Sequence, residues 1–208
     1  NYDTVMVAGK KLISYAVFAE LKYFTDFSDL INQIVEKKER YLNGEYERLK
    51  KESLPEEMEA LEDHFGDLDF EKIKIENLLY KSFLISIFSF IEANINGLCS
   101  YIREEKKCVF RHSDLRGNGI VRSVKYLDKV LGVKFPLDKN NRDNIEIARI
   151  IRNAIIHNDG IIPEEHLSKI EKYKIDNPNE IDLLLGAITL KKPFILKITK
   201  LTEAIIEE

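Results

Sequence analysis

Four polar side chains near residue 150 have the types and the spacing that phosphate chemistry requires. Residues 149–160 read RIIRNAIIHNDG, and Arg149, Asn153 and His157 recur every four residues, so a helix would stack them on one face. Arg152 lies about a sixth of a turn from Arg149, and its long side chain can reach the same face. An arginine offers forked donors to phosphate oxygens, and a histidine exchanges a proton near neutral pH. Together they supply an acid–base group and an anion clamp without a metal, which is enough for a ribose 2′-hydroxyl to attack its own phosphate.

The same residues also have a structural interpretation, which geometry alone favours. A histidine in the last turn of a helix commonly interacts with the unpaired carbonyl groups there. An arginine on a helix commonly forms a salt bridge with a neighbouring carboxylate. The order of residues within the helix does not separate these two interpretations.

Capping signals define the helix that must position these side chains. Asp143, followed three residues later by Glu146, matches a capping box and predicts a helix over 144–158. The run Asn-Asp-Gly at 158–160 predicts a C-terminal cap. The side chains predicted to face the core are Ile147, Ile151, Ala154 and, on a flank, Ile155.

A second long helix is predicted over residues 70–106. Its core face is an apolar series at spacings of three and four, namely Tyr80, Leu84, Phe88, Ile91, Ile95, Leu98 and Ile102. Beside it runs a series of small residues, which we name the small stripe: Ser82, Ser86, Ser89, Ala93, Asn96 and Ser100. The stripe is either a helix–helix contact with satisfied hydroxyl groups or the wall of a cleft or subunit contact.

The remaining pattern predicts an all-α protein with a short strand or hairpin near 181–192. Helices are predicted over 10–53, interrupted near 26–29, and over 119–131, 163–173 and 194–206, with a further break at 66–67. An apolar stripe on the first helix comprises Leu30, Ile31, Ile34, Tyr41, Tyr46 and Leu49. We predict two units, an N-terminal helical extension over 1–66 and a helical domain over 67–208.

Composition restricts the partners and the compartment. The 208 residues carry a formal net charge of −4 with a pI near 5.7, which argues against nucleic-acid binding through overall basicity but allows a local basic site. The stretch 103–125 is the best such site, with seven basic residues against three acids. Cys108 and His112 lack a second pair for zinc, so we expect no metal and no cofactor. Two cysteines and the absence of an apolar run of membrane-spanning length predict a cytoplasmic protein without membrane contact.

The segment RNAIIH, from Arg152 to His157, resembles the signature of the HEPN superfamily, in which an arginine and a polar residue precede a histidine. The segment SFLISIFSFIEANINGLCSYI at 82–102 is similar to the other central helix of HEPN four-helix bundles, with the acidic Glu92 facing the signature helix. The resemblance covers residues 70–160. The first 65 residues and the C-terminal tail lie outside it.

The resemblance implies a HEPN-like four-helix bundle that dimerises with its signature helices facing each other. Many such proteins are metal-independent endoribonucleases of toxin–antitoxin, abortive-infection or other phage-defence systems, so RNA, a second subunit and an antitoxin or defence partner are the implied partners. His157 would act as general base or acid, Arg152 would stabilise the phosphorane, and Asn153 would position the phosphate or the imidazole. The expected substrate contacts are Arg149, Glu92, Asn96 and Asn158.

Other members of the superfamily are inactive, which provides the alternative of a non-catalytic module that binds a nucleotide or a protein. In one toxin subgroup a tyrosine two residues after the histidine is modified by the cognate antitoxin. Asp159 occupies that position in this chain, so this form of control is not expected. The same carboxylate places negative charge beside the predicted cleft.

Overall fold

The protein is predominantly helical, as predicted. The computed structural model describes the backbone of residues 2–117, 119–134 and 138–207, together with the side chains of residue 17 and of residues 19–205 within these ranges. The elements are α1 (Tyr2–Glu52), α2 (Met58–Glu105), α3 (Gly119–Lys129), α4 (Lys139–Asn158), α5 (Glu164–Asp176), β1 (Ile181–Leu184), β2 (Ala187–Leu190) and α6 (Lys192–Glu207). Single 3-10 turns lie at Pro55–Glu57 and His112–Asp114.

The first two helices are uninterrupted and form a long helical hairpin. The predicted breaks at 26–29 and 66–67 were wrong. Gly66 lies within α2, where one glycine costs only about 1 kcal/mol, and residues 26–29 contain neither glycine nor proline. A turn at Ser53–Pro55 joins the two helices. The Ser53 hydroxyl donates to the Leu49 carbonyl at 2.8 Å, and the Leu54 amide donates to the Glu57 carboxylate at 2.8 Å.

The core lies around the second half of α2, against which α1, α3, α4 and α6 pack. Seven α2 side chains of this core are at most 3% exposed, namely Tyr80, Phe83, Leu84, Ile87, Ile91, Ile95 and Cys99. Leu98, which was predicted to face the core, is 40% exposed, and Cys99 takes the inward position. Burial raises the pKa of the Cys99 thiol to about 11, so this cysteine is a packing residue and not a reactive thiolate.

The outer part of the hairpin differs from the bundle. No residue from 43 to 79 is buried, although the rings of Tyr46 and Phe65 lie 5.2 Å apart between the two helices. Ile31 of α1 is fully buried within the bundle core. The predicted division between residues 66 and 67 therefore falls inside α2, and part of the predicted extension packs into the core.

The helix α2 has one further property that the sequence analysis did not anticipate. Among the described residues, Pro55–Glu105 is long and apolar enough to cross a membrane by length and composition. Core helices of soluble proteins share these properties, and the apolar residues of α2 from Tyr80 onward form the centre of the bundle. This feature therefore gives only weak support for membrane insertion.

Helix α4 begins earlier than predicted and ends where predicted. Its N-cap is Asp138, whose carboxylate accepts the Asn141 amide at 2.7 Å, so Asp143 lies inside the helix and the predicted start at 144 was wrong. At the other end Asp159 is left-handed with φ 52°. The Gly160 amide donates to the Ala154 carbonyl at 2.9 Å, which closes the last turn.

A predicted β-hairpin is present and supports the end of α4. Strands β1 and β2 pair antiparallel, with Ile181 opposite Leu190. The Ile188 amide donates to the Gly160 carbonyl at 2.9 Å, and the Ile162 amide donates to Gly186 at the same distance. The chain that leaves α4 is thus hydrogen-bonded to the hairpin. These bonds hold the end of the helix that carries His157.

Candidate functional site

The C-terminal half of α4 carries Arg152, Asn153 and His157, and the first two are in contact. Nη1 of Arg152 donates to Oδ1 of Asn153 at 3.1 Å, and both side chains are half-buried. His157 lies exposed in the last turn of the helix. Among the described residues, no carboxylate forms an ion pair with Arg152 or His157. The Arg152 guanidinium therefore has no internal counter-ion in the described part of the chain.

The Nε atom of Arg152 is buried without a hydrogen-bond partner. Arg122 of α3 is the other arginine in the described part of the chain with such a nitrogen. A buried donor without an acceptor costs about 1–3 kcal/mol, so native proteins rarely retain one without a use. An anionic oxygen is the kind of acceptor that this nitrogen lacks.

Arg149, one turn earlier, has a different environment. Its Nε and Nη2 atoms donate to the two carboxylate oxygens of Glu146 at 2.7 and 2.8 Å, and Lys169 lies 3.8 Å from the same carboxylate. The hydrogen bond from Arg149 lowers the pKa of Glu146, and Glu146 in turn raises the pKa of Arg149. Arg149 was predicted to contact substrate, but its guanidinium group is already bound within the protein.

Glu92 and Asn96 are directed to α3. A Cβ atom placed on Gly119 would lie 3.6 Å from Glu92 Oε1, so this carboxylate sits at the N-terminus of α3, where negative charge is favourable. Oδ1 of Asn96 accepts the Ser123 hydroxyl at 2.6 Å. The resemblance implied that Glu92 faces the helix of Arg149 and Arg152, but no ion pair among the described residues joins it to either arginine. These two α2 side chains therefore have structural contacts that the prediction of substrate binding did not include.

The end of α4 also places Asn158 and Asp159 at the surface. Asn158 is exposed, and its carbonyl accepts the Ile161 amide at 2.8 Å. Asp159 is exposed in the left-handed conformation that its short side chain tolerates. The sequence analysis predicted both the cap and the negative charge close to His157.

Lys81 is a site residue that the sequence analysis missed. A methyl group on Gly160 would come within 2.7 Å of the Lys81 ammonium nitrogen, so this half-buried lysine lies against the end of α4. Within the described residues it has no ion-pair partner. A cation is favourable beside the carbonyl groups at a helix C-terminus. The signal was visible in the sequence, because Lys81 is the only charge between Glu76 and Glu92.

The small stripe of α2 is solvent-exposed along most of its length. The hydroxyl groups of Ser82, Ser86 and Ser89 each donate to the carbonyl four residues earlier at 2.9 Å. These groups are satisfied within their own helix. The intramolecular helix–helix contact, one of the two interpretations, is therefore not formed by Ser82, Ser86 or Ser89.

The basic stretch 103–125 is partly structural. Lys106 donates to the Leu131 carbonyl, and Tyr126 donates to the Phe110 carbonyl. Val109 and Phe110 remain 90% and 66% exposed. In the part of the chain that is described, no group of three histidine, cysteine or acidic side chains could hold a metal ion, and this includes Cys108 and His112.

Comparison with known proteins provides no assignment. No protein-family model matches this chain, and neither a curated protein nor a solved structure is significantly similar to it. The HEPN resemblance therefore depends on the residues of α2 and α4 themselves.

Proposed function

We propose that the protein is a metal-independent endoribonuclease of the HEPN type, with Arg152, Asn153 and His157 as its catalytic group. The observation that carries the proposal is the contrast on α4 between one arginine with a bound carboxylate and another without one. Arg149 is held by Glu146, whereas Arg152 keeps a buried Nε without an acceptor, and His157 lies exposed five residues later. A phosphodiester oxygen would supply that acceptor when the Arg152 side chain turns outward.

The proposed reaction needs only proton transfer and charge stabilisation. The neutral His157 imidazole takes the proton of a ribose 2′-hydroxyl, and the 2′-oxygen then attacks the adjacent phosphorus. The guanidinium of Arg152 stabilises the charge on the phosphorane, and Asn153 holds that guanidinium through its 3.1 Å contact. The bond to the 5′-oxygen breaks as that oxygen gains a proton. The products are a 2′,3′-cyclic phosphate and a 5′-hydroxyl group.

A second subunit completes the proposed site. In an in-line displacement the attacking 2′-oxygen and the leaving 5′-oxygen lie on opposite sides of the phosphorus, so one imidazole cannot serve both. Two signature helices facing each other would provide one imidazole as base and the other as acid. The ammonium group of Lys81 adds positive charge at the end of α4, which offsets the negative charge of Asp159.

The first test is cleavage of a single-stranded RNA in the presence of EDTA. We expect the wild-type protein to cleave and His157→Ala to lose about 10²–10⁴ in rate, because that range is typical for removal of a general acid or base. We expect a comparable loss for Arg152→Ala. The 5′ ends of the products should accept phosphate from a polynucleotide kinase without prior phosphatase treatment.

Matched controls are available on the outer part of the hairpin. His64→Ala and Arg48→Ala remove the same residue types at exposed positions on α1 and α2. Both controls should cleave at the wild-type rate, and circular dichroism should show that all four variants are folded. Equal cleavage by wild type and His157→Ala would refute the proposal. RNA binding without cleavage by wild type would favour the non-catalytic module instead.

A further inference from the structure

The outward face of α1 carries five large apolar side chains at coiled-coil spacing, and we name this set the α1 seam. The exposed fractions are 72% for Tyr23, 38% for Phe27, 51% for Leu30, 49% for Ile34 and 62% for Tyr41. The intervals are four, three, four and seven residues, which is the repeat that keeps one helix face against another helix. Lys37 occupies the position that the last interval skips.

The α1 seam is separate from the face that packs into the bundle. Leu21, Ile31 and Leu42 are at most 4% exposed on that inner face. The Phe27 ring lies 5.9 Å from the Phe83 ring, so the seam runs along the border with α2. Single exposed apolar residues are ordinary, but a continuous row of them marks a contact surface.

Charges beside the α1 seam indicate what covers it. Heptad spacing places Asp26, Gln33 and Arg40 along its solvent-facing edge. All three are exposed, and neither Asp26 nor Arg40 has an ion-pair partner among the described residues. The edge is thus negative at one end, neutral in the middle and positive at the other end. Such an edge is complementary to itself when a second copy runs in the opposite direction.

We propose that the α1 seam pairs antiparallel with the α1 seam of a second copy of this chain. A two-fold axis near Gln33 sets Asp26 against Arg40 of the second copy, and Arg40 against Asp26 of the second copy. The same register stacks Leu30 on Ile34 of the second copy.

The outer layers of this register are compatible as well. Tyr23 packs on Tyr41 of the second copy, and both are large side chains. Phe27 meets Lys37 of the second copy, where the ammonium group can lie over the ring. From Tyr23 to Tyr41 the contact is about 27 Å long, given the helical rise of 1.5 Å per residue.

This pairing goes beyond the proposed ribonuclease and uses a different helix. The seam variants leave Arg152 and His157 unchanged, so the two proposals fail separately. A protein that paired through α4 as well as α1 would assemble beyond a dimer. Removing the seam contact would leave a monomer in the first case and a dimer in the second, so the mass falls to half of the wild-type mass or less.

Mass measurement over a concentration series is the main experiment. Wild type should be at least dimeric, and Leu30→Lys should have half the wild-type mass because it places two ammonium groups in the central layers. Leu30 is half-exposed, so the variant should retain the wild-type circular dichroism spectrum. A monomeric wild type at every soluble concentration, or an unchanged mass for Leu30→Lys, would overturn the pairing.

Charge exchange tests the register. Asp26→Arg sets like charges against each other twice in each dimer, so dimerisation should weaken about tenfold. Arg40→Asp should have the same effect, and the double variant should regain the wild-type affinity. If the double variant instead lost as much dimerisation free energy as the two single variants together, the antiparallel register would be contradicted.

Cross-linking tests the position of the axis. In a Cys108→Ser background, Gln33→Cys should be joined to its mate by a short bismaleimide, because both thiols lie beside the axis. Glu47→Cys is the matched control, since it is exposed on the same helix and would lie about 42 Å from its mate. Cross-linking of Glu47→Cys in preference to Gln33→Cys would refute this arrangement.

Discussion

Helices α1 and α4 both pack against α2 and α6, yet their outward faces have opposite chemistry. The α1 seam exposes aromatic and aliphatic side chains, with charges only along its edges. The outward side of α4 carries Glu146, Arg149, Asn153 and His157. Neither face resembles the mixed lysine and glutamate surface that covers most of the outer hairpin.

The difference indicates how two exposed helix faces serve different purposes. An apolar row gains free energy when another apolar surface removes it from water, so it favours a protein contact. A row of donors without carboxylate acceptors gains free energy from an anion. Within α4, Arg149 has a carboxylate partner inside the protein, whereas Arg152 has none among the described residues.

The largest expected difference in stability between α1 and α4 comes from alanine substitutions at Gly44, inside α1, and at Gly160, just after α4. Gly160 has φ +87°, and a Cβ atom there would meet Lys81, so Gly160→Ala should destabilise the protein by about 1–2 kcal/mol. Gly44 lies inside α1 with open space around it, so Gly44→Ala should stabilise the protein by about 0.5–1 kcal/mol. Urea denaturation of both variants measures the two effects.

A double variant separates the two causes at Gly160. Adding Lys81→Ala removes the 2.7 Å contact but leaves the left-handed backbone, so most of the loss should persist. Full recovery would mean that the ammonium contact alone demands glycine there. Equal stability of Gly160→Ala and wild type would mean that the end of α4 is free to rearrange.

A smaller contrast is expected between the two arginines of α4. Arg149→Met leaves Glu146 with only the 3.8 Å contact to Lys169, and the pair is partly exposed, so the loss should be about 1 kcal/mol. Arg152→Met leaves no carboxylate unpaired and removes the buried donor, so the variant should be at least as stable as wild type, by up to about 1–3 kcal/mol. A greater loss of stability at Arg152 than at Arg149 would show that Arg152 is the structural arginine.

Local sequence signals determined some features, and tertiary contacts determined others. The Asn-Asp-Gly run at 158–160 predicted the end of α4, because a left-handed cap depends on the residues at the cap itself. The hairpin near 181–192 was predicted for the same kind of reason. The start of α4 was missed because both Asp138 and Asp143 are suitable caps, and only the path of the preceding chain selects Asp138.

The apolar residues predicted on α1 belong to two faces of the helix. The sequence did not show which face is buried. Ile31 was grouped with Leu30 and Ile34, although packing buries only Ile31. Which stripe is covered depends on where α2 and α6 lie, and this information is not local. The same limit applies to Glu92, since a helix face predicts that a side chain points inward but not which neighbouring helix it meets.

The smallest expected effect is a pH dependence of protein stability, which the Glu146 carboxylate on α4 causes. The hydrogen bond from Arg149 lowers the pKa of Glu146 in the folded protein below its ordinary value of 4.5, although desolvation opposes this. Its contribution to stability is therefore fully present above pH 4.5 and is lost as the pH falls through the lower, folded-state pKa. The stability difference between wild type and Glu146→Gln should shrink as the pH falls from 6 into this range. In an Arg149→Met background the difference should be small throughout. If it kept its full pH dependence there, Lys169 rather than Arg149 would stabilise the carboxylate, and the contrast between the two arginines of α4 would lose its physical basis.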